Sequence, residues 1–144
     1  MFKCDSVRLQ CNNLKLFSGL GTGGSFANST SMDYPEVPFS VDDFNAPCYI
    51  DWGNKDSIRT CQLVGLPDLK QSREHVRQKQ VELMNHLIDL GVAGFRVDAM
   101  KHMFLDDLTV IFSRLKTLNT NFGFQSGAKP FIVGEVINGD GIYG

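Results

Sequence analysis

The sequence predicts an α/β protein whose second half is built from parallel β/α units. Two observations carry this prediction. After residue 70, apolar residues recur at helical spacing in two segments, and each segment is followed by a short apolar run typical of a buried strand. Before residue 70, glycine, proline and small polar residues recur so often that only short strands and turns fit. We therefore predict a loop-rich domain over residues 1–69 and a β/α domain over residues 70–144.

Length and composition limit both the fold and the partners. A chain of 144 residues is too short for a complete barrel of eight β/α units, which needs about 250 residues. Its 14 basic and 16 acidic side chains give a formal charge of −2, so we expect no electrostatic attraction to nucleic acid or to an anionic membrane. No apolar run approaches the roughly 20 residues of a membrane-spanning helix.

The first predicted helix follows Ser72, which is a favourable N-cap residue. Glu74 lies in the first turn, where the helix dipole favours an acidic side chain, and Gly91 follows the last periodic residue as a stop signal. Apolar side chains recur on one face of this helix and charged side chains on the other, so the apolar face is expected to be buried. The predicted buried face comprises Val76, Leu83, Leu87 and Leu90, flanked by Met84 and Ile88.

A strand, a second helix and a second strand follow. The run Gly94–Asp98 favours a strand, and Pro130–Val136 is an apolar strand that includes the carboxylate Glu135. Asp106 and Asp107 lie near the start of the helix between these strands. The predicted buried stripe of that helix comprises Leu105, Leu108, Ile111, Phe112, Leu115 and Leu118.

Two charged side chains share one face of the first strand. Because side chains alternate along a strand, Arg96 and Asp98 lie opposite Phe95 and Val97. Burying such a pair is costly unless it is hydrogen-bonded or lies at an open strand end. Two interpretations remain at this point: an internal ion pair, or a catalytic Asp98 at the carboxyl end of a parallel strand.

Glu135 has the same placement on the next strand. The 37 positions between Asp98 and Glu135 accommodate one helix and its loops, so we expect the two carboxylates to lie close together. Paired carboxylates facing one cleft are typical of glycosidic-bond cleavage, in which one protonates the leaving oxygen and the other is ionised. A divalent-metal site is the alternative, because hard cations also bind paired oxygen ligands.

Other motifs carry less information. The run Gly19–Gly24 matches a dinucleotide-binding fingerprint, but no helix is predicted after it, so nucleotide binding is not expected. The Asn28-Ser29-Thr30 glycosylation sequon and an even number of cysteines are compatible with an exported protein, with buried free thiols as the alternative. The four cysteines are Cys4, Cys11, Cys48 and Cys61, and no cysteine and histidine spacing resembles a zinc site.

Several segments together resemble one enzyme family over about residues 22–138. The family is the α-amylases, retaining glycoside hydrolases built on a (β/α)8 barrel, and the resemblance is specifically to the animal-type, chloride-dependent members. It implies an internal fragment holding about strands four and five of the barrel with their helices, after a loop-rich calcium-binding insert; residues 1–18 match nothing in the family. The matching segments are YPEVPFSVDDFN (34–45), CQLVGLPDL (61–69), LMNHLIDLGVAGFR (83–96), GVAGFRVDAMKHM (91–103), LNTNF (118–122) and FIVGEV (131–136).

The resemblance also implies residue roles. Asp98 matches the catalytic nucleophile and Glu135 the general acid/base, while Arg96 matches the chloride-binding arginine. A chloride ion beside the carboxylates would help to keep Glu135 protonated. Lys101 and His102 match residues that line the sugar subsites.

A calcium site and a disulfide are implied in the same way. Arg59 and His102 match positions that offer backbone carbonyls to calcium, and Asp68 matches a calcium ligand. Cys48 and Cys61 match a disulfide of the insert, and glycosylation at Asn28 fits a secreted protein. The resemblance assigns no disulfide partner to Cys4 or Cys11.

The implied activity is endo-hydrolysis of α-1,4-glucosidic bonds in starch, glycogen and maltooligosaccharides by a secreted, extracellular enzyme that is monomeric at full length. The sequence lacks the family's region with the third catalytic carboxylate, so we expect this fragment alone to be inactive. The alternatives are a truncated, non-catalytic module that binds calcium or sugar, and a related α-glucosidase.

Overall fold

The computed structural model describes residues 18–21 and 23–137. The chain forms two compact units, residues 1–40 and residues 41–144. Cys4 and Cys11, whose pairing the sequence left open, lie outside the described residues. Within the described part of the chain, no helix has both the length and the apolar character needed to cross a membrane.

The first unit is a small antiparallel arrangement joined by turns. Strand β1 (Ser18–Leu20) pairs with β2 (Phe26–Asn28), and isolated bridges continue the pattern as far as residue 39. Gly24 has φ +83°, in the left-handed region that glycine tolerates, at the turn between the strands. The glycine-rich run therefore leads into a strand and not into a helix, which removes the structural context that a dinucleotide site requires.

The second unit opens with a loop-rich segment that a short helix and a disulfide organise. Helix α1 (Lys55–Thr60) is capped by Asn54, whose side-chain oxygen accepts the backbone N–H groups of Asp56 and Ser57 at 3.0 and 3.3 Å. A disulfide joins Cys48 to Cys61, the residue that ends the helix, so this pairing is present as the resemblance implied.

This loop-rich segment belongs to the same compact unit as the β/α part. The Asn45 N–H donates to the Asp68 carbonyl and the Lys70 N–H to the Asp43 carbonyl, both at 2.8 Å, and Phe44 bridges to Leu69. These bonds tie the start of the unit to the residues around position 70. The domain division implied by the resemblance stays a prediction.

Helix α2 (Glu74–Asp89) begins one residue later than a Ser72 cap predicts. Arg73 is the N-cap residue and makes no side-chain capping bond, so the assignment of Ser72 as the cap is wrong. Arg73 takes this position because its N–H closes a turn onto the Lys70 carbonyl at 2.9 Å. The predicted stop is confirmed, since Gly91 has φ +98° and its N–H bonds to the Ile88 carbonyl at 3.0 Å.

The buried face of α2 is rotated from the predicted one. Val76 and Ile88 are 0 and 1% exposed, whereas Leu83 and Leu90 are each 60% exposed. Apolar residues cover more than one side of this helix, and packing against the second helix and the chain after it selects the side that carries Ile88. The core comprises Ile88, Leu115 and Leu118, with Met84, Phe95, Phe112, Phe124, Ala128 and Ile132 packed against them.

Two parallel strands carry the rest of the unit. Strand β3 (Gly94–Val97), helix α3 (Leu105–Ser113) and strand β4 (Phe131–Gly134) follow in order, and β3 pairs with β4 in parallel from Gly94↔Phe131 to Val97↔Gly134. The parallel β/α arrangement is therefore confirmed.

The burial of these elements departs from the prediction in three places. Leu105 is exposed because it lies in the first turn of α3, away from the side that packs on α2, and Phe131 and Val133 are exposed on β4. Since side chains alternate along a strand, only Ile132 between them faces the core of this unit. The face of β4 that carries Phe131 and Val133 is therefore only partly covered.

Candidate active site

Both candidate carboxylates follow the last paired residues of the two parallel strands. Val97 pairs with Gly134, and the Glu135 N–H continues the ladder by donating to the Val97 carbonyl at 2.8 Å. Asp98 and Glu135 thus leave the sheet at one edge, and the expected closeness of the two side chains is confirmed. This edge is the one at which β/α folds place functional groups.

Arg96 binds both carboxylates. One guanidinium nitrogen, Nη1, lies 2.8 Å from Asp98 Oδ1, and the other, Nη2, lies 2.6 Å from Glu135 Oε1. These contacts raise the pKa of Arg96, the hydrogen bond to Asp98 most of all. The pair of Arg96 and Asp98 is thus an ion pair, as one interpretation held, but it is exposed at a strand end and not buried in the core.

The two carboxyl groups differ in environment. The Asp98 side chain is 75% exposed and that of Glu135 is 28% exposed. A hydrogen bond with Glu135, and after it the hydrogen bond with Arg96, lowers the pKa of Asp98 below its ordinary value. The lowered pKa favours the ionised form of Asp98. An ionised carboxylate beside a second carboxyl group is the pair that glycoside hydrolysis uses.

The turn after β3 holds Glu135 from a second side. Ala99 has φ +49°, in the left-handed region that residues with a Cβ atom adopt uncommonly, and its N–H donates to Glu135 Oε2 at 3.3 Å. The next N–H, from Met100, donates to the Glu135 carbonyl at 3.0 Å. Backbone and side chain of Glu135 are therefore both fixed by this turn.

The carboxylates line a pocket of about 240 Å³. Trp52 is half-exposed beside it, with the Lys101 Nζ 5.4 Å from the centre of its ring and the His102 ring packed against it edge-on at 6.0 Å. An aromatic ring beside polar groups suits a neutral ligand with apolar and hydroxylated faces, such as a sugar. The lining residues are Trp52, Leu63, Asp98, Ala99, Lys101, His102, Glu135 and Ile137.

Of these lining residues, Asp98, Glu135, Lys101 and His102 were predicted as site residues and Trp52 was not. The usable signal was that Trp52 is the only tryptophan of the chain and lies in a polar loop just before α1. Nothing in the sequence pattern placed that loop beside strand ends more than 40 positions away, so only tertiary structure assigns it to the pocket.

The residues implied in calcium binding lie in one neighbourhood. The His102 ring nitrogen Nδ1 lies 2.8 Å from the carbonyl of Ile58, the residue before Arg59. Burial raises the pKa of Asp68, while a 2.7 Å hydrogen bond from Asn45 and the charge of His102 act in the opposite direction. The chain thus brings a partly buried carboxylate close to two segments that offer backbone carbonyls.

That donor set fits a hard cation, which prefers carboxylate and carbonyl oxygens. Side chains alone do not form a cage, because the described residues contain no cluster of three or more histidine, cysteine, aspartate or glutamate side chains able to hold a metal. The Arg59 guanidinium points elsewhere, over the Phe104 ring at 5.5 Å, which is compatible with a role for its carbonyl only.

Asn28, the sequon residue, lies at the end of β2 in the first unit. Its side-chain oxygen accepts the N–H groups of Thr30 and Ser31 at 3.0 and 3.1 Å, forming a local turn. Modification of Asn28 stays a prediction.

Comparison with known proteins shows what this chain is similar to. No family model matches the chain. Over 128 residues it is 52% identical to an α-amylase of Tenebrio molitor, covering 88% of this chain and 27% of the relative. Over 125 residues it is 51% identical to an α-amylase-related protein of Drosophila willistoni, covering 85% of this chain and 25% of that protein.

Solved structures agree with the sequence comparison. The α-amylase I of Eisenia fetida superposes with a TM-score of 0.83 at 40% identity, covering 88% of this chain and 27% of that structure. A variant of the same enzyme solved in complex with maltohexaose gives a TM-score of 0.82 at 39% identity. The chain spans about a quarter of the length of the curated relatives it matches. Sequence and structure together make this chain a relative of the animal α-amylases, corresponding to a segment of those enzymes.

Proposed function

We propose that the protein containing this chain is an α-amylase that hydrolyses internal α-1,4-glucosidic bonds of starch, glycogen and maltooligosaccharides with retention of configuration. One observation carries the proposal: Asp98 and Glu135, at the ends of adjacent parallel strands, share the Arg96 guanidinium at 2.8 and 2.6 Å. The relatedness to animal α-amylases supports the same chemistry.

The first step breaks the glycosidic bond. Glu135 acts as the general acid and transfers a proton to the glycosidic oxygen as the bond from that oxygen to the anomeric carbon breaks. The ionised, exposed oxygen of Asp98 attacks the anomeric carbon from the opposite face and forms a covalent glycosyl ester. The leaving sugar departs as a neutral alcohol, and Glu135 is left ionised.

The second step reverses these roles. Ionised Glu135 removes a proton from a water molecule, whose oxygen attacks the anomeric carbon and releases the Asp98 carboxylate. Two displacements at one carbon restore the original configuration. In both steps Arg96 offers positive charge to whichever carboxylate is ionised, because it contacts both.

Other residues bind ligands around this pair. Lys101 and His102 contact sugar units in the pocket beside Trp52, which offers its ring face to a glucose unit. A chloride ion would be held by Arg96, whose guanidinium also contacts both carboxylates. A calcium ion, held by the Asp68 carboxylate and the carbonyls of Arg59 and His102, would tie the loop-rich segment to the turn after β3.

The finer assignments complete the proposal. Strands β3 and β4 are the fourth and fifth strands of a (β/α)8 barrel, and the loop-rich segment is the insert before them. The enzyme is secreted and monomeric, which is consistent with a disulfide between Cys48 and Cys61 and with glycosylation at Asn28.

The proposal is tested in the natural full-length protein expressed from its gene. Starch hydrolysis should fall by at least about 10³-fold in Asp98→Asn and in Glu135→Gln, because each variant removes one chemical role while keeping its shape. Asp106→Asn, on the exposed first turn of α3, is the matched control and should keep full activity. Near-normal turnover in either site variant would refute the assignment.

The same experiment separates the alternatives. Binding of maltoheptaose without hydrolysis by the unsubstituted protein would indicate a non-catalytic sugar-binding module. Release of glucose only from chain ends, with no internal cleavage of starch, would indicate an α-glucosidase.

A further inference from the structure

Met100 fills the side-chain space that Gly134 leaves empty at the end of β4. A Cβ atom added to Gly134 would lie 2.1 Å from the Met100 sulfur, 3.1 Å from its Cε and 3.3 Å from its Cβ. All three nearest atoms belong to one side chain, so the thioether packs directly on the backbone of the residue before Glu135. Methionine is unbranched and flexible, which suits a side chain laid against bare backbone.

The turn that carries Met100 is strained and is the same turn that holds Glu135. Ala99, with φ +49°, donates its N–H to the Glu135 carboxyl group, and Met100 donates its own to the Glu135 carbonyl. A backbone conformation of this kind persists only where surrounding contacts hold it. The contact of Met100 with Gly134 is such a contact, and it joins the turn to the strand that it must face.

We propose that Met100 is a positioning residue for Glu135. By occupying the space at Gly134 it keeps the 99–100 turn against β4, and so keeps the Ala99 N–H on the Glu135 carboxyl group. Met100 and Gly134 are accordingly a matched pair, because any side chain at position 134 would displace the methionine. The inference rests on the proposed function, in which Glu135 is the general acid.

Displacement of a general acid has a recognisable kinetic effect. A glucose unit is a poor leaving group unless its oxygen is protonated as the bond breaks, whereas a nitrophenolate leaves without a proton. Loss of positioning should therefore lower kcat/KM, which reports on this first step, much more for cleavage between glucose units than for cleavage of a nitrophenyl maltooligosaccharide. General loosening of the fold would slow both substrates alike.

The kinetic test uses the natural full-length protein. Met100→Ala and Gly134→Ala should each lower kcat/KM on maltoheptaose by about 10- to 100-fold, and lower kcat/KM on the nitrophenyl substrate by less than about threefold. Met100→Leu, of similar volume, should restore most of the loss. Met84→Ala is the matched control, since Met84 packs on the core away from the site, and it should affect both substrates equally.

A second measurement tests the pairing without activity. In urea unfolding, the losses of stability in Met100→Ala and Gly134→Ala should not add in the double variant, because removal of the methionine makes room for the new Cβ atom. Additive losses, or equal slowing of both substrates by Met100→Ala, would overturn the positioning role. Glu135→Gln distinguishes failure of the proposed function from failure of the proposed positioning. Unchanged maltoheptaose hydrolysis in that variant would refute the proposed function. Urea unfolding of the single and double variants would still report on the contact between Met100 and Gly134.

Discussion

Replacement of Gly94 by alanine should separate the two strands that carry the candidate site. Gly94 is paired with Phe131 at the start of the parallel ladder. A Cβ atom added to Gly94 would lie 2.6 Å from the Phe131 carbonyl oxygen and 3.1 Å from the Phe131 Cβ, whereas ordinary van der Waals contacts begin at 3.4 Å. The nearest atom belongs to the backbone, so no change of rotamer relieves the clash and β4 must move as a whole.

The free-energy cost of that movement follows from the usual effect of overpacking. Overpacking a tightly packed site typically costs about 1–3 kcal/mol. We expect about 3 kcal/mol here, because the shift also lengthens the neighbouring 3.0 Å hydrogen bond from the Phe131 N–H to the Ala93 carbonyl. The displaced strand carries Glu135 directly beyond its last paired residue, so activity should fall together with stability.

Urea unfolding of the natural full-length protein measures this effect as a change in the free energy of unfolding. Gly53→Ala is the matched control, since its added Cβ atom would meet only the Asp51 side chain, at 3.4 Å. A loss of stability in Gly94→Ala no greater than in Gly53→Ala would refute the argument from strand contact.

Two further predictions concern the guanidinium at the site and the buried face of α2. Arg96→Gln removes a cause of the lowered pKa of Asp98, so that pKa should rise and the acid limb of the kcat/KM profile should move to higher pH; Arg114→Gln, on the outer face, should leave the profile unchanged. An acid limb that does not move in Arg96→Gln would contradict this prediction. Ile88→Ala should lower the free energy of unfolding in urea by about 2–5 kcal/mol, and Leu83→Ala, at an exposed position, by less than about 1 kcal/mol. Equal losses would support burial of the helix face that the sequence predicted.

Much of the local structure followed from residue pattern. The Gly91 stop, the parallel strands and the meeting of Asp98 with Glu135 were all predictable, because each depends on periodicity or on the connection between neighbouring strands. The exact start of α2 was not predictable. Arg73, and not Ser72, is the N-cap residue, and its N–H donates to the carbonyl of Lys70 in the preceding segment. Leu83 was also misplaced, because a helix with apolar residues on more than one side gives no information on which side its partner covers.

The sequence by itself determined the candidate residues for the chemistry: two carboxylates and an arginine at strand ends, together with the segments that resemble animal α-amylases. Tertiary structure decided how those groups meet. Contacts between residues far apart in the chain add Trp52 to the pocket, set the sulfur of Met100 against Gly134 and bring Asp98 and Glu135 onto one guanidinium. Such distances and electrostatic couplings depend on the packing of several segments at once, and no local pattern encodes them.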